Sequence, residues 1–224
     1  MTEYTQLTFT QKLLFWKQHP LVGDISLNID NISILMKCDN DDPVVKDIYW
    51  GCTYYKLTIW LTLIELCNYD YILDVGAYTG IYSILAAKAS PKNSKIYAFE
   101  DREEVLDRIK DNFKLNTVDI PLIPDICKVD EFISTQQLDT SKTFLLKLNI
   151  QNGVVKGMKK LLQKNVDLLV SVSSNKVLDL ILEELGNEYF IYNLTDTEIT
   201  TWADGYVGRN NKDFLCTKKA NLII

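Results

Sequence analysis

Gly76 and Gly80 stand between an apolar run that carries an acid and a helical pattern, and this corner holds residues suited to grip a ligand. The run Tyr71-Ile72-Leu73 continues through Val75 and is too short for a helix, so it reads as a buried strand with Asp74 at its tip. Ile81, Ile84, Leu85 and Lys88 then recur at helical spacing. A strand, a glycine turn and a helix form the binding corner of an open α/β sheet, at the carboxyl ends of its strands. Gly76 lets the backbone approach a ligand, Gly80 lets the helix pack closely on the strand, and the first helical N–H groups point at whatever is bound. Ala77 and Tyr78 fill the turn, and the third glycine of a G-x-G-x-x-G dinucleotide motif is missing.

A second strand, Lys95-Ile96-Tyr97-Ala98-Phe99, ends in Glu100, with Asp101 beside it. An acid about 20 residues beyond the glycines is placed to accept hydrogen bonds from ribose hydroxyls. A ligand with a ribose but no pyrophosphate is described better by S-adenosylmethionine than by NAD. Asp119 to Ile123 is the expected third strand. Asp125 follows it, as an acid near an adenine amino group or as a solvated loop residue.

The segments Asp74-Val75-Gly76-Ala77-Tyr78-Thr79-Gly80-Ile81-Tyr82-Ser83, Tyr97-Ala98-Phe99-Glu100 and Asn112 to Asn116 resemble class I S-adenosylmethionine-dependent methyltransferases. Within that class the chain is most similar to the FkbM-type family, which methylates hydroxyls of sugars and natural products. The similarity runs from about Tyr54 to about Val172, roughly half the chain. It implies a Rossmann-like α/β fold and S-adenosylmethionine as cofactor. It also implies a small-molecule acceptor, such as a sugar or a carrier-bound intermediate. The cofactor contacts it implies are Asp74, Gly76, Ala77, Tyr78, Gly80, Glu100, Asp101 and Asp125.

One family motif is altered. The fourth-strand pattern Lys-Ile-Asp-Val-Glu-Gly, followed by a further glutamate and Val-Leu-x-Gly, here reads Lys147-Leu148-Asn149-Ile150-Gln151-Asn152-Gly153-Val154-Val155-Lys156-Gly157. Both strand carboxylates have become amides, the later glutamate is absent and the connection is shorter. A glutamate that commonly follows the first tyrosine of the family is Tyr55 here.

Methyl transfer from a sulfonium is an in-line displacement, in which holding the reactants in near-attack geometry is worth about 7–11 kcal/mol. A general base adds about 10²–10⁴-fold when the acceptor is an alcohol. Asn149 and Gln151 keep hydrogen-bonding capacity but cannot accept a proton at neutral pH. Lys147 is the residual candidate base if burial lowers its pKa, and an ion pair with Asp74 or Glu100 is its alternative reading. Three functions follow. The first is a methyltransferase whose acceptor is already nucleophilic: an amine, a thiolate, or a phosphate-like or carboxylate oxygen. The second is a catalytically degenerate protein that binds the cofactor or a partner. The third is a nucleotide-cofactor enzyme such as a dehydrogenase, which no catalytic His, Tyr-x-x-x-Lys or third glycine supports.

Positioning this corner needs a whole domain around it, and 224 residues are enough for one with a good core. Residues 1–52 read as a helix and hairpin appendage of the same domain, and 53–224 as the methyltransferase-like α/β part. The appendage holds a helix from Gln11 to His19 and a hairpin of Ile25 to Ile29 with Ile32 to Met36, turning on Asp30-Asn31. It lies over the sheet's binding edge or simply covers core. Asp39 to Asp42 reads as a solvated acidic turn rather than a cation site. Trp50, Gly51, Tyr54 and Tyr55 precede a helix from Leu57 to Cys67, walling a pocket or packing that helix on the hairpin. The helix from Arg102 to Leu115 carries Glu104 and Arg108 as an i,i+4 pair.

Thr143 to Ile150 and Val166 to Val172 are further strands, a helix ends near Leu185, and Glu188 to Tyr192 with Asp213 to Thr217 close the sheet. Between those two lies a long polar loop, Thr195 to Asn211, of a length that is often functional. The sum is a mainly parallel seven-stranded sheet flanked by helices.

Composition narrows the partners. Lys and Arg number 24 against 30 Asp and Glu, a net charge of −6, which argues against an electrostatic nucleic-acid binder, since such a binder needs a basic face. A local basic patch stays open, and no nucleic-acid partner is expected. Five cysteines without a Cys-x-x-Cys pair suggest reduced thiols in a cytoplasmic protein. The single His19, expected at a helix end on the surface, rules out His-centred triads and most zinc sites, so no metal is expected. Met1 to Thr10 shows no signal peptide, and the apolar stretch Ile59 to Leu66 is too short to span a membrane. A monomer or homodimer is expected.

Overall fold

The computed structural model describes residues 4–51, 55–91, 93–150, 157–172, 175–185, 188–194, 199–201 and 212–219. The first half runs α1 (Phe9–Gln18), β1 (Val22–Ile29), β2 (Ile32–Asp39), α2 (Pro43–Tyr49), α3 (Tyr55–Cys67), β3 (Tyr71–Val75), α4 (Ile81–Ala89), β4 (Lys95–Phe99) and α5 (Glu103–Leu115). The second half runs β5 (Leu122–Ile123), α6 (Val129–Thr135), β6 (Phe144–Ile150), α7 (Lys159–Leu162), β7 (Val166–Val172), α8 (Asn175–Leu185), β8 (Phe190–Leu194), β9 (Ile199–Thr201) and β10 (Lys212–Thr217). Gln151, Tyr54, Ser174 and most of the expected loop from Thr195 to Asn211 lie outside the described residues.

The main sheet has the order β5-β4-β3-β6-β7-β10-β8-β9. The five strands from β5 to β7 pair in parallel, while β10 runs antiparallel between β7 and β8. The seven expected strands are all there, and the short β9 adds an eighth at the β8 edge. The chain leaves β3 outward through β4 and β5, then returns to β6 on the other flank. That reversal opens a crevice at the carboxyl ends of β3 and β6, the place where open α/β sheets bind ligands.

Both faces of the sheet are covered, so β3 is buried along its whole length. Ile72 faces a core shared with α3, α4 and the hairpin, whereas Tyr71, Leu73 and Val75 face a core shared with α6, α7 and α8. This alternation follows from the two-residue period of a strand.

Three elements depart from expectation, each for a local reason. β5 keeps only Leu122–Ile123 because Pro121 has no N–H to donate, although its carbonyl still accepts from Ala98 N at 3.0 Å. Asp39 to Asp42 is not a solvated turn throughout: Asp42 is fully buried and caps α2, its Oδ1 accepting from Val44 N at 2.9 Å and Val45 N at 3.1 Å. An Asp N-cap followed by Pro at the first helical position is what starts this helix. Arg108 does not pair with Glu104 but grips Asp41 with both nitrogens, at 3.0 and 2.6 Å. The hairpin turn lacks glycine because Asp30 itself adopts the left-handed φ of 51°.

The hairpin is clasped to the domain by two asparagines four residues apart, Asn112 in the last turn of α5 and Asn116 capping its C-terminus. Asn112 Oδ1 accepts from Lys37 N at 2.7 Å, and Asn116 accepts from Leu35 N at 3.0 Å and donates to Leu35 O at 2.6 Å. These side chains satisfy the outward backbone groups of β2 that a neighbouring strand would otherwise pair. Trp50 packs against Phe15 at 5.0 Å and Tyr49 at 5.1 Å, so it secures α1 rather than walling a pocket. His19 is exposed and caps α1, its ring 4.3 Å from that of Phe15.

Candidate functional site

Three alternate residues in the left-handed region shape the turn after β3: Gly76 at φ 79°, Tyr78 at φ 56° and Gly80 at φ 81°. Gly76 N and Ala77 N both donate to Phe99 O at 2.9 Å, which ties the turn to the end of β4. A Cβ on Gly76 would stand 2.9 Å from the Asn149 carbonyl oxygen, so a side chain there collides with the backbone of β6. A Cβ on Gly80 would stand 2.7 Å from Phe113 of α5. Gly80 therefore makes room for a neighbouring helix rather than for the strand.

Beneath the turn, Asp74 is fully buried and its Oδ2 accepts from Ser83 N at 3.2 Å and Ser83 Oγ at 2.7 Å. Its Oδ1 faces Lys147 Nζ at 3.4 Å without an aligned hydrogen bond. Lys147 donates instead to Gly76 O at 3.0 Å and lies 4.6 Å from the centre of the Tyr82 ring. Burial pushes the Lys147 pKa down, and the neighbouring Asp74 carboxylate only partly opposes that. Lys147 is thus buried, and the acidic partner it meets is Asp74 rather than Glu100.

Above this pair opens a cleft of about 460 Å³, part of it continuous with solvent. Ala77, Tyr78 and Thr79 of the turn form one side, with Ile81 and Tyr82 at the start of α4. Lys147 and Asn149 of β6 and Ser171 of β7 form the floor, and Val44 of α2 and Lys56 of α3 form the far rim. Asn149 and Ser171 are adjacent because they face each other in the β6–β7 register. Ser171 Oγ donates a short hydrogen bond to Asp213, which Lys56 also meets at 3.4 Å.

Glu100 sits at the end of β4, 1% exposed. Its Oε2 accepts from Tyr78 N at 2.7 Å and Arg102 Nη2 at 3.0 Å, and its Oε1 from Arg102 Nε at 2.8 Å and Arg102 N at 3.2 Å. Burial alone would raise its pKa, but the Arg102 guanidinium and the Tyr78 N–H outweigh burial and hold it below the ordinary carboxylate value. The guanidinium also lies 4.8 Å from the centre of the Tyr78 ring.

Of the residues singled out in the sequence, Ala77, Tyr78, Lys147 and Asn149 line the cleft, while Gly76 and Gly80 give the turn its shape. Asp74 supports the turn from below and does not line the cleft, because Ser83 and Lys147 hold it in the interior. Asp101 is exposed. Asp125 bends back to accept from Cys127 N at 2.9 Å and faces Lys128 at 3.6 Å, so it is spent on its own loop. Lys56, Ser171 and Arg102 were not singled out as site residues in the sequence; Lys56 and Ser171 reach the site only through the fold, and Arg102 reaches it only through its bond to Glu100. Among the described residues no group of three or more carboxylate, thiol or imidazole side chains is arranged to hold a metal ion. No described helix is long and apolar enough to cross a membrane.

A parallel sheet reversing at its first strand, an antiparallel strand inserted near one edge, and a glycine turn at the crevice together define the fold of class I S-adenosylmethionine-dependent methyltransferases. No family model matches the chain, and no curated protein matches its sequence. Solved structures do match by shape. The chain is similar to a precorrin-6y C5,15-methyltransferase from Geobacter metallireducens, at 16% identity and a TM-score of 0.52 over 75% of this chain and 89% of that one. It is similar to a SAM-dependent methyltransferase from Agrobacterium tumefaciens, at 13% identity and a TM-score of 0.55 over 89% of this chain and 71% of that one. A third likeness is to a putative rRNA methylase from Clostridium thermocellum, at 10% identity and a TM-score of 0.53 over 72% of this chain and 94% of that one.

Proposed function

We propose that the chain is an S-adenosylmethionine-dependent methyltransferase acting on a small molecule, of the FkbM-like kind that its first two motifs resemble. The observation that carries this reading is the cleft at the sheet's reversal, walled by a glycine turn that no larger residue could replace. The residues present fit an adenosyl ligand there. Gly76 and Ala77 keep the side chains of the turn small beside the cleft. Glu100, just outside the lining and joined to it through Tyr78 N, is the acid this reading assigns to the ribose, and Arg102 contacts it. When bound, the cofactor supplies an electrophilic methyl group on a sulfonium.

The chain's own residues position rather than deprotonate. Asn149 offers hydrogen bonds from the floor but no base. Lys147 is committed to Gly76 O and to Asp74, which stiffens the turn from inside. Val44, Tyr82 and Lys56 wall the side on which an acceptor would enter. With no carboxylate lining the cleft in the described residues, the acceptor is one already nucleophilic, an amine, a thiolate or an anionic oxygen. The net charge of −6 favours a small acceptor over RNA. The free thiols of Cys38, Cys67, Cys127 and Cys216 accord with a cytoplasmic setting, as a monomer or homodimer. A second reading, a degenerate protein that binds without transferring, draws on Asn149 and on the occupied Glu100 carboxylate.

Calorimetry with S-adenosylhomocysteine tests the cofactor: binding is expected, and Gly76→Val should abolish it. Absence of heat at millimolar ligand leaves a scaffold only. Release of S-adenosylhomocysteine from S-adenosylmethionine across amines, thiols, acids and sugars then separates enzyme from binder, since silence across all four classes sinks catalysis. Asn149→Asp should raise any turnover of alcohols.

A further inference from the structure

We infer that Arg102 takes the hydrogen-bonding positions on Glu100 that a ligand's vicinal diol would use, and so sets the threshold for binding adenosyl ligands. The inference rests on the reading of the cleft as an adenosyl site. A carboxylate offers about four lone-pair positions, and all four of Glu100's are filled. Two of the donors are backbone N–H groups, of Tyr78 and Arg102, which the turn and the start of α5 hold in place. The other two are the fork of the Arg102 guanidinium, at 2.8 and 3.0 Å. A fork of paired donors is also what a ribose diol presents.

The two donor pairs differ in how easily they leave. Glu100 is buried, but the Arg102 side chain is 45% exposed, so the guanidinium can swing into water while the carboxylate cannot follow. Its bond to Glu100 is charged and bidentate, the stronger kind, whereas ribose hydroxyls are neutral donors. A diol therefore wins its place only at the expense of an ion pair. Tyr78, whose ring faces the guanidinium and whose N–H holds Glu100, links this exchange to the wall of the cleft. Arg102 is thus a specificity-determining residue: it penalises every ligand that must engage Glu100 and spares those that bind only the floor of the cleft.

The test compares S-adenosylhomocysteine binding by calorimetry, and the ligand-induced rise in melting temperature, for the wild type, Arg102→Met, Arg102→Lys and the double variant Arg102→Met/Glu100→Gln. Met keeps the apolar stem beside Tyr78 and removes the fork; Lys keeps the charge without it. Arg102→Met is expected to bind about tenfold more tightly, the loss of one strong competing contact. Its melting temperature without ligand should fall and its rise with ligand should exceed that of the wild type. Arg102→Lys should fall between, and the double variant should lose the gain. Equal or weaker binding by a folded Arg102→Met, with the wild type binding, overturns the inference and leaves the adenosyl site intact. Should neither bind while both unfold cooperatively, the adenosyl reading itself is lost. A misfolded Met variant shifts the decision to Lys, where binding no tighter than the wild type is equally adverse.

Discussion

Lys147 is the residue on which the turn rests, and its burial has a measurable signature. Its pKa lies below the ordinary 10.5, because removal from water outweighs the attraction of Asp74. Between the lowered value and 10.5 the unfolded chain holds a proton that the folded chain has shed, so in that window this residue adds stability as pH rises. Comparing urea midpoints of the wild type and Lys147→Met from neutral pH upward should show that the variant lacks this gain. At neutral pH the same substitution leaves Asp74 buried without its cation and should cost about 3–5 kcal/mol. Adding Asp74→Asn should recover most of it; no recovery would mean that the two do not act as a pair. The sequence offered Lys147 as a base or as an ion-pair partner, and only packing could choose. Arg102 was invisible for a related reason: an arginine two places past an acid looks like the start of a helix until the chain folds it back.

At the scale of elements, the clasp between α5 and the hairpin is the feature that brings Asp42, Val44 and the cleft's far rim within reach of the glycine turn. Asn112 serves both partners, accepting from Lys37 N and donating to Thr79 O at 2.8 Å. Asn112→Ala leaves both backbone groups unmet and should cost about 1–3 kcal/mol. Hydrogen exchange at the Lys37 amide should quicken in that variant while amides of β6 stay protected; an unchanged Lys37 rate would show that the asparagine does not hold the ribbon. Elements with a strong period were legible beforehand: β3, β4, α5, β6 and β7 all lie where the apolar spacing put them. α2 was missed although Asp42-Pro43 is a start signal, because seven residues carry too little periodicity to be seen. β5 was overdrawn because its apolar residues outweighed the missing N–H of Pro121.

For the molecule as a whole, the order of strand and helix along the chain was enough to foresee a parallel sheet covered on both faces. The site's composition was not, since Lys56, Ser171 and Arg102 come from elements far apart in sequence and meet through topology alone. The shape is similar to solved structures at 10–16% identity, so the same architecture can be built from largely different side chains. Residue identity at the corner then decides what the architecture is used for. One detail of that corner reaches beyond binding. A chain that fills its own neediest carboxylate finishes maturing without help, so supply of adenosyl compounds in the host should not limit its yield. Recombinant material is expected to leave the final column free of adenine absorbance and to lose no solubility on exhaustive dialysis. An adenine-containing molecule released by acid from freshly purified protein would contradict this.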